Sequence, residues 1–318
     1  MSVLVIIESE KNKLKRNAAE VASYGVALAS SLKTNCSAIT FHSNNSDNLG
    51  QFGVSKVAVV TNVPTHFDAN TYADTIVQHA KEIKATHLIV SSGADAKFLA
   101  PLLAAKLQAA YVPNVVALPS STNPLTVKRT AFTNKAFANT TLEGSSCIIG
   151  VGNNTFGVVE NSVSCDVQAA TYTPNASLLE QVSIEKETGK ATIADADVVV
   201  SGGRGLKGPE NWHLIEDLAE ALDAATACSK PVSDMGWRTH DEHVGQTGKP
   251  VSANLYIAIG ISGAIQHLAG VNASKVKVVI NSDPEAPFFK AADYGVVGDA
   301  FEVVPELIEK LKAFKQQG

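Results

Sequence analysis

Leu255-Tyr256-Ile257-Ala258-Ile259-Gly260-Ile261-Ser262-Gly263-Ala264-Ile265-Gln266-His267-Leu268 runs from an unbroken apolar stretch through two glycines into a helical pattern. The run Leu255–Gly260 has no polar alternation, so it suits a strand buried on both faces. Gly263–Ala269 then reads as a short helix. A strand that feeds straight into a helix belongs to a parallel α/β sheet. Its turn leaves backbone N–H groups unpaired at a helix N-terminus, where an anion can sit. Just upstream, Val244-Gly245-Gln246-Thr247-Gly248-Lys249 forms a loop of small and polar residues that could lie over the same ligand. Together the two segments point to a nucleotide-type cofactor in the C-terminal third of the chain.

The same rhythm extends outward in both directions. Strands are expected near Asp197–Ser201, Ala225–Cys228, Val276–Asn281 and Gly295–Val297, with helices near Glu210–Leu222 and Pro305–Phe314. Residues 169–190 hold Pro174, several Ser and Thr, and the charged run Glu185-Lys186-Glu187, which suits a linker. Before it, strands near Val3–Ile7, Ser37–Phe41, Lys56–Val60, His87–Ser91 and Tyr111–Leu118 alternate with helices near Lys15–Leu32, Asn70–Ile83 and Ala96–Leu107. This too reads as a mostly parallel sheet covered on both faces. After Pro119 the helices stop. Leu125–Thr133, Asn139–Leu142, Ser146–Val151, Phe156–Glu160 and Ser162–Gln168 are expected as antiparallel strands. The fold class is therefore α/β with two domains. Residues 1–190 form a nucleotide-binding-like domain with added antiparallel strands, linker included. Residues 191–318 form a doubly wound domain.

Bulk composition narrows the function. The chain has 318 residues, 45% hydrophobic and 18% charged, which excludes a disordered protein. A net charge of −5 gives no general reason to expect nucleic acid as a partner. Apolar runs such as Val57–Val60 are too short to span a membrane, so no direct membrane insertion is expected. The first strand is expected to begin at Val3, which leaves no room for a targeting segment and suits a cytoplasmic protein or a mature chain already processed. The four cysteines, Cys36, Cys147, Cys165 and Cys228, show no C-x-x-C spacing and read as buried thiols.

Ligands of open α/β sheets sit beyond the carboxyl ends of the strands. In the second domain those ends are Gly202-Gly203-Arg204-Gly205, Ser229-Lys230, Gly260-Ile261-Ser262-Gly263, Asn281-Ser282-Asp283 and Gly298-Asp299. Glycines, hydroxyls, amides and two cations suit a pyrophosphate and a polar ring better than a metal. Gly203-x-Gly205-x-x-Gly208 fits the dinucleotide pattern, but Pro209 interrupts the approach to a helix. Gly245–Lys249 lacks the four-residue gap of a P-loop. His240 and His243 stand at H-x-x-H spacing with no third ligand in view. His267 is by default a core or surface histidine, and its interest rises because it follows Gly260–Gly263 directly. In the first domain, Gly150–Gly157 reads as a tight turn.

Four segments taken in order resemble the α subunit of electron-transfer flavoprotein: Ser201–Lys207, Val244–Lys249, Tyr256–Gly270 and Asn281–Ala286. The likeness is dense over about residues 197–305 and weaker over 1–190. It implies a flavodoxin-like second domain that binds FAD. It also implies an αβ heterodimer whose β subunit carries AMP. Such a carrier is not a stand-alone enzyme. It takes electrons from flavin dehydrogenases, typically acyl-CoA dehydrogenases of fatty acid β-oxidation, and passes them to a quinone oxidoreductase. Carried over by position, Arg204, Ser229, Ser262 and the backbone of Gly263, Ala264, Ile265 and Gln266 would hold phosphate and ribityl oxygens. Val244 and Gly245 would lead into Gln246 and Thr247, which would lie along the flavin. A positively charged His267 would favour an anionic one-electron-reduced flavin, and Asn281 and Asp299 would meet the adenosine end. The family usually has Arg where this chain has Lys230, which keeps the charge but loses the planar guanidinium. Two rivals are a nicotinamide-dependent oxidoreductase using Gly203–Gly208 and an adenine-nucleotide regulatory module. The first lacks an acidic residue at the right distance, since Asp223 comes too early.

Overall fold

The computed structural model describes residues 2–132, 134–176, 180, 182–183, 192–194 and 196–316. Thr133, at the end of one expected strand, and most of the expected linker beyond residue 176 lie outside the described residues. The chain divides into two compact units, residues 1–131 with 137–185, and residues 132–136 with 186–318.

In the first unit the main strands are β1 (Val3–Ile7), β2 (Cys36–Phe41), β3 (Lys56–Val60), β4 (His87–Val90), β5 (Ala110–Val115), β6 (Leu125–Ala131), β7 (Ala136–Leu142), β8 (Cys147–Val151) and β9 (Asp166–Ala170). They lie in the order β7-β6-β5-β8-β4-β1-β2-β3-β9. Helices α1 (Ala18–Ser31), α2 (Ala69–Glu82) and α3 (Ala94–Leu107) cover the sheet. Successive side chains of a strand point to opposite faces. Accordingly Val3, Val5 and Ile7 join one core with Val21, Tyr24 and Leu28 of α1. Leu4 and Ile6 join the other with Ile76 of α2 and Leu99 and Leu103 of α3.

The stretch after Pro119 corrects the antiparallel expectation. β6 does pair antiparallel with β5, at Val115↔Arg129. β8 instead lies between β4 and β5 and is parallel to both. Each of its residues is buried, as a central parallel strand requires, and its apolar run Cys147-Ile148-Ile149-Gly150-Val151 has no polar alternation. The last strand falls at Asp166–Ala170 rather than 162–168, and pairs parallel with β3. Residues 156–160 form no strand. The N–H groups of Asn154, Phe156 and Gly157 donate instead to the Glu20 carboxylate of α1, at 2.7, 2.8 and 2.8 Å. Val159 N–H donates to Ser23 Oγ at 3.0 Å. Side chains of a helix meet the donors that a ladder would otherwise take.

The second unit holds one parallel sheet of β10 (Val198–Gly202), β11 (Ala225–Ser229), β12 (His243–Val244), β13 (Leu255–Ile259), β14 (Val276–Asn281) and β15 (Tyr294–Val297). The order is β12-β11-β10-β13-β14-β15. Apart from the two-residue edge strand β12, this is the 2-1-3-4-5 order of flavodoxin-like folds. Helices α4 (His213–Leu222) and α7 (Ala300–Lys315) pack on one face, where Ile215, Leu218, Val304 and Ile308 meet Val200, Ile257 and Ile280. The other face buries Val199, Tyr256 and Ala258 beneath Val244, Val251, Val271 and Phe288. The short helices α5 (Lys230–Asp234) and α6 (Ile265–Val271) follow the ends of β11 and β13. α7 begins five residues before the expected Pro305, because Asp299 caps it and accepts from Phe301 N–H at 3.0 Å.

Candidate functional site at the switch point of the second sheet

All strands of the second sheet run the same way, so their carboxyl ends share one rim. The chain leaves β10 toward β11 on one side and reaches β13 on the other, so the crevice opens between the ends of β10 and β13. Those ends are Gly202-Gly203-Arg204-Gly205 and Gly260-Ile261-Ser262-Gly263.

Backbone packs directly on backbone there. Gly203 N–H donates to the Ile259 carbonyl at 2.8 Å, and Gly205 N–H to the Gly260 carbonyl at 3.1 Å. A Cβ on Gly203 would lie 2.1 Å from the Gly260 oxygen. Gly260 itself has φ +62°, and Gly263 has φ +84° with Phe288 N only 2.5 Å from where a Cβ would stand. Small residues are therefore imposed by geometry on both sides of the crevice. The cradle is bare backbone, with the exposed Arg204 side chain on its lip.

Val244–Lys249 lies along α6, as its composition suggests. Gln246 N–H donates to the Gln266 carbonyl at 2.8 Å, and Val251 N–H to the Gly270 carbonyl at 2.8 Å. A Cβ on Gly270 would come within 2.6 Å of Gly245 Cα. Val244 and Gly245 are buried, while Gln246 and Thr247 are exposed. Ser262, Ala264, Ile265 and Gln266 are exposed around the start of α6, with Ile265 at 77%. Ser229 is buried at the end of β11, where its side chain does not cap α5, and Lys230 beside it is exposed.

His267 is 7% exposed. Its Nε2 lies 2.9 Å from the Tyr256 hydroxyl, and its Nδ1 is buried without a hydrogen-bond partner. Burial, reinforced by His243 nearby, pushes its pKa down to about 4, against a smaller opposing pull from the Val244 carbonyl. Burial thus disfavours a charge on this ring, in the opposite sense to the positive charge that the family resemblance implies. His243 is also buried with an unpartnered Nδ1, and its pKa is lowered by burial and by His240.

Asn281 and Asp299 are on the rim but already engaged. Asn281 Nδ2 donates to the Ile261 carbonyl at 3.1 Å, and its Oδ1 accepts from Asp283 N–H at 3.0 Å. Asn281 therefore ties the end of β14 to the crevice turn. Asp299 caps α7 and lies 3.7 Å from Lys207 Nζ. Sequence reasoning missed Tyr256, Ser201 and Phe288. The available signal was a tyrosine inside an otherwise apolar buried strand, since a buried phenol needs a polar partner.

Other patterns resolve against their sharper readings. Two 3₁₀ turns, Arg204–Leu206 and Pro209–Trp212, separate β10 from α4, so Gly203–Gly208 does not run directly into a helix. The rings of His240 and His243 lie 5.2 Å apart, yet among the described residues no three His, Cys, Asp or Glu could hold a metal. Among those residues, no helix is long and apolar enough to cross a membrane.

The groups gathered at this rim suit a flavin dinucleotide. Side-chain-free backbone lines both walls, Arg204 and Lys230 stand at the rim, and the buried Nδ1 atoms of His243 and His267 have no partner in the protein.

Comparison with known proteins bears on this directly. Residues 192–272 match the electron transfer flavoprotein FAD-binding domain, and residues 3–176 match the electron transfer flavoprotein domain. The electron transfer flavoprotein subunit alpha of Thermoanaerobacterium thermosaccharolyticum is 35% identical, over 98% of this chain and 98% of its own. That of Paracoccus denitrificans is 34% identical, over 98% and 100%. That of Syntrophomonas wolfei is 37% identical, over 82% and 84%. With matches along nearly its whole length, the chain belongs to the electron transfer flavoprotein α-subunit family and carries that family's FAD-binding domain.

Proposed function

We propose that this chain is the FAD-carrying subunit of an αβ electron carrier. Residues 191–318 hold the cofactor. Residues 1–190 serve as scaffold and as the contact for a β subunit that carries AMP. Electrons arrive from flavin dehydrogenases such as acyl-CoA dehydrogenases and leave to a quinone oxidoreductase, in the cytoplasm of a bacterium. The observation that carries the reading is the bare-backbone crevice between β10 and β13, set inside the segment that matches the family's FAD-binding domain.

The roles follow the chemistry of the donors. Arg204 and the backbone from Ser262 to Gln266 bind phosphate oxygens, and the Ser229 and Ser262 hydroxyls bind neighbouring oxygens. Gln246 and Thr247 line the ring system, and Val244 and Gly245 hold their loop against α6. Lys230 and His267 set the polarity around the reactive ring, while Asn281 and Asp299 shape the adenosine end. When bound, the flavin supplies the one- and two-electron chemistry; the protein binds, orients and tunes it. No side chain is needed as a nucleophile.

The test is coexpression with a β subunit of the same family, followed by absorbance spectra through stepwise anaerobic reduction. A yellow heterodimer that accepts electrons from an acyl-CoA dehydrogenase is the expected result. A colourless monomer that binds only NAD or AMP would overturn the reading and favour one of the rivals.

A further inference from the structure

We propose that residues 172–175 form a clasp on α2 that fixes where the chain leaves the first unit, and so sets the length of the tether that joins the two units. The inference stands apart from the FAD reading above and uses none of the residues assigned to the cofactor.

β9 ends at Ala170, on the edge of the first sheet. The chain then runs along α2 in the direction opposite to the helix. Tyr172 meets the last turn of α2, where its phenol donates to Glu82 Oε2 at 3.0 Å and lies 2.5 Å from His79 Nδ1. Thr173 meets Gln78, whose side-chain amide pairs twice with the backbone. Thr173 N–H donates to Gln78 Oε1 at 3.3 Å, and Gln78 Nε2 donates to the Thr173 carbonyl at 2.7 Å. Asn175 meets Asp74, donating to Oδ2 from Nδ2 at 2.9 Å and from its N–H at 3.4 Å. Asn62 Nδ2 also donates to the Tyr172 carbonyl, at 2.6 Å.

The spacing makes helix and strap a matched pair. Asp74, Gln78 and Glu82 recur every fourth residue and share one face of α2. From Asp74 to Glu82 the helix rises about 12 Å. From Tyr172 to Asn175 an extended chain covers about 10 Å. Both ends of the strap are braced. Asp74 is 8% exposed, and its second oxygen, Oδ1, accepts from Lys106 Nζ of α3 at 2.6 Å. At the other end the Tyr172 ring packs against the core beneath α2 and α3 and stands edge-on to His79, 5.7 Å between centroids. An ion-paired anchor and an aromatic anchor thus bracket the amide pairing at Thr173.

The second unit takes hold of the chain at Ile193 and Ala196, which are buried in its core. With the clasp closed, the tether is residues 176–192. With the clasp open, the tether starts after β9 and gains residues 171–175, up to about 17 Å of reach at the rise of an extended chain. The bonds made by Asn62, Gln78 and Glu82 are solvent-exposed, the kind that opens locally before a core does.

The experiment uses the full chain, purified with a β subunit of the same family, as the parent, as Gln78→Ala and as Asp74→Ala/Gln78→Ala. In the parent, the Thr173 amide is expected to exchange its hydrogen about tenfold or more slower than in a free peptide, and in Gln78→Ala that protection should be lost. Chymotrypsin should spare the bond after Tyr172 in the parent and cut it in the double variant. Small-angle scattering of the uncut proteins should show a larger maximum dimension for the double variant. Free-peptide exchange at Thr173 in the parent overturns the clasp. So does a Tyr172 bond that stays uncut in both variants, because the side chains named are then not what holds the strap. Superposable scattering curves, once cleavage shows the strap released, overturn its part in setting the tether. Should the double variant not fold, Gln78→Ala takes its place in cleavage and scattering, since Gln78 is a half-buried surface residue. A complex that holds no FAD would refute the proposed function and leave every one of these readouts intact.

Discussion

Gly203→Ala should open the crevice without touching any charged or hydrogen-bonding side chain. Gly203 has φ −114° and ψ −178°, extended backbone that alanine adopts freely, so the effect is purely steric. The new methyl would lie 2.1 Å from the Gly260 oxygen, 2.6 Å from its carbonyl carbon and 2.8 Å from Ile261 Cγ1. The first two are backbone atoms and cannot rotate away. Restoring ordinary contact requires the ends of β10 and β13 to part by about 1 Å. Overpacking of this kind costs about 1–3 kcal/mol. Parting the strands also strains the bonds from Gly203 to Ile259 and from Gly205 to Gly260, each contributing about 1 kcal/mol. A loss of about 2–4 kcal/mol corresponds to roughly 10 °C in the unfolding midpoint of a unit this size. Scanning calorimetry of the flavin-free chain measures that loss, and flavin retention on gel filtration measures the damage to the crevice. A variant that unfolds within about 1 °C of the parent and keeps its flavin would refute the close-backbone account.

Three further outcomes follow from the same geometry. Folding holds His267 at a pKa of about 4, below its ordinary 6.5. As pH falls from 6.5 to 4 the unfolded chain therefore takes up a proton that the folded ring refuses, and stability drops by about 3 kcal/mol. His267→Gln should flatten that slope in urea unfolding followed against pH, and an unchanged slope would sink the argument. Glu20→Ala leaves three backbone N–H groups without their carboxylate and should destabilise the first unit by about 3 kcal/mol in urea unfolding; a loss under about 0.5 kcal/mol would mean that water takes over. Lys230→Arg restores a planar cation at the rim and should raise the yield of the one-electron stage during anaerobic reduction; an equal yield would count against any role for that side chain.

Leu255–Leu268 and its echoes at the other strand ends carried the fold class, because a buried parallel strand and the helix after it have different apolar periods. The glycines of the crevice were also legible, since few other residues suit a strand-to-helix turn so close to a second backbone. Local pattern failed at residues 146–170. An apolar pentapeptide such as Cys147–Val151 fits a central strand of either polarity, and its neighbours in space, β4 and β5, are distant in sequence. Phe156–Glu160 fooled the pattern because Glu20, far upstream, satisfies the backbone that a strand partner would have taken.

By itself, then, the chain's pattern of apolar runs and glycines determined two α/β units and the rim on which a ligand would sit. Only the tertiary structure decided the state of the side chains on that rim. Nothing local to His267 says that it is buried beside a phenol and kept from taking a charge. That follows from β13 and α6 packing face to face under Phe288, which strips water from the imidazole and leaves Tyr256 as its partner. Charge depends on desolvation, and desolvation belongs to the assembled core rather than to any stretch of sequence.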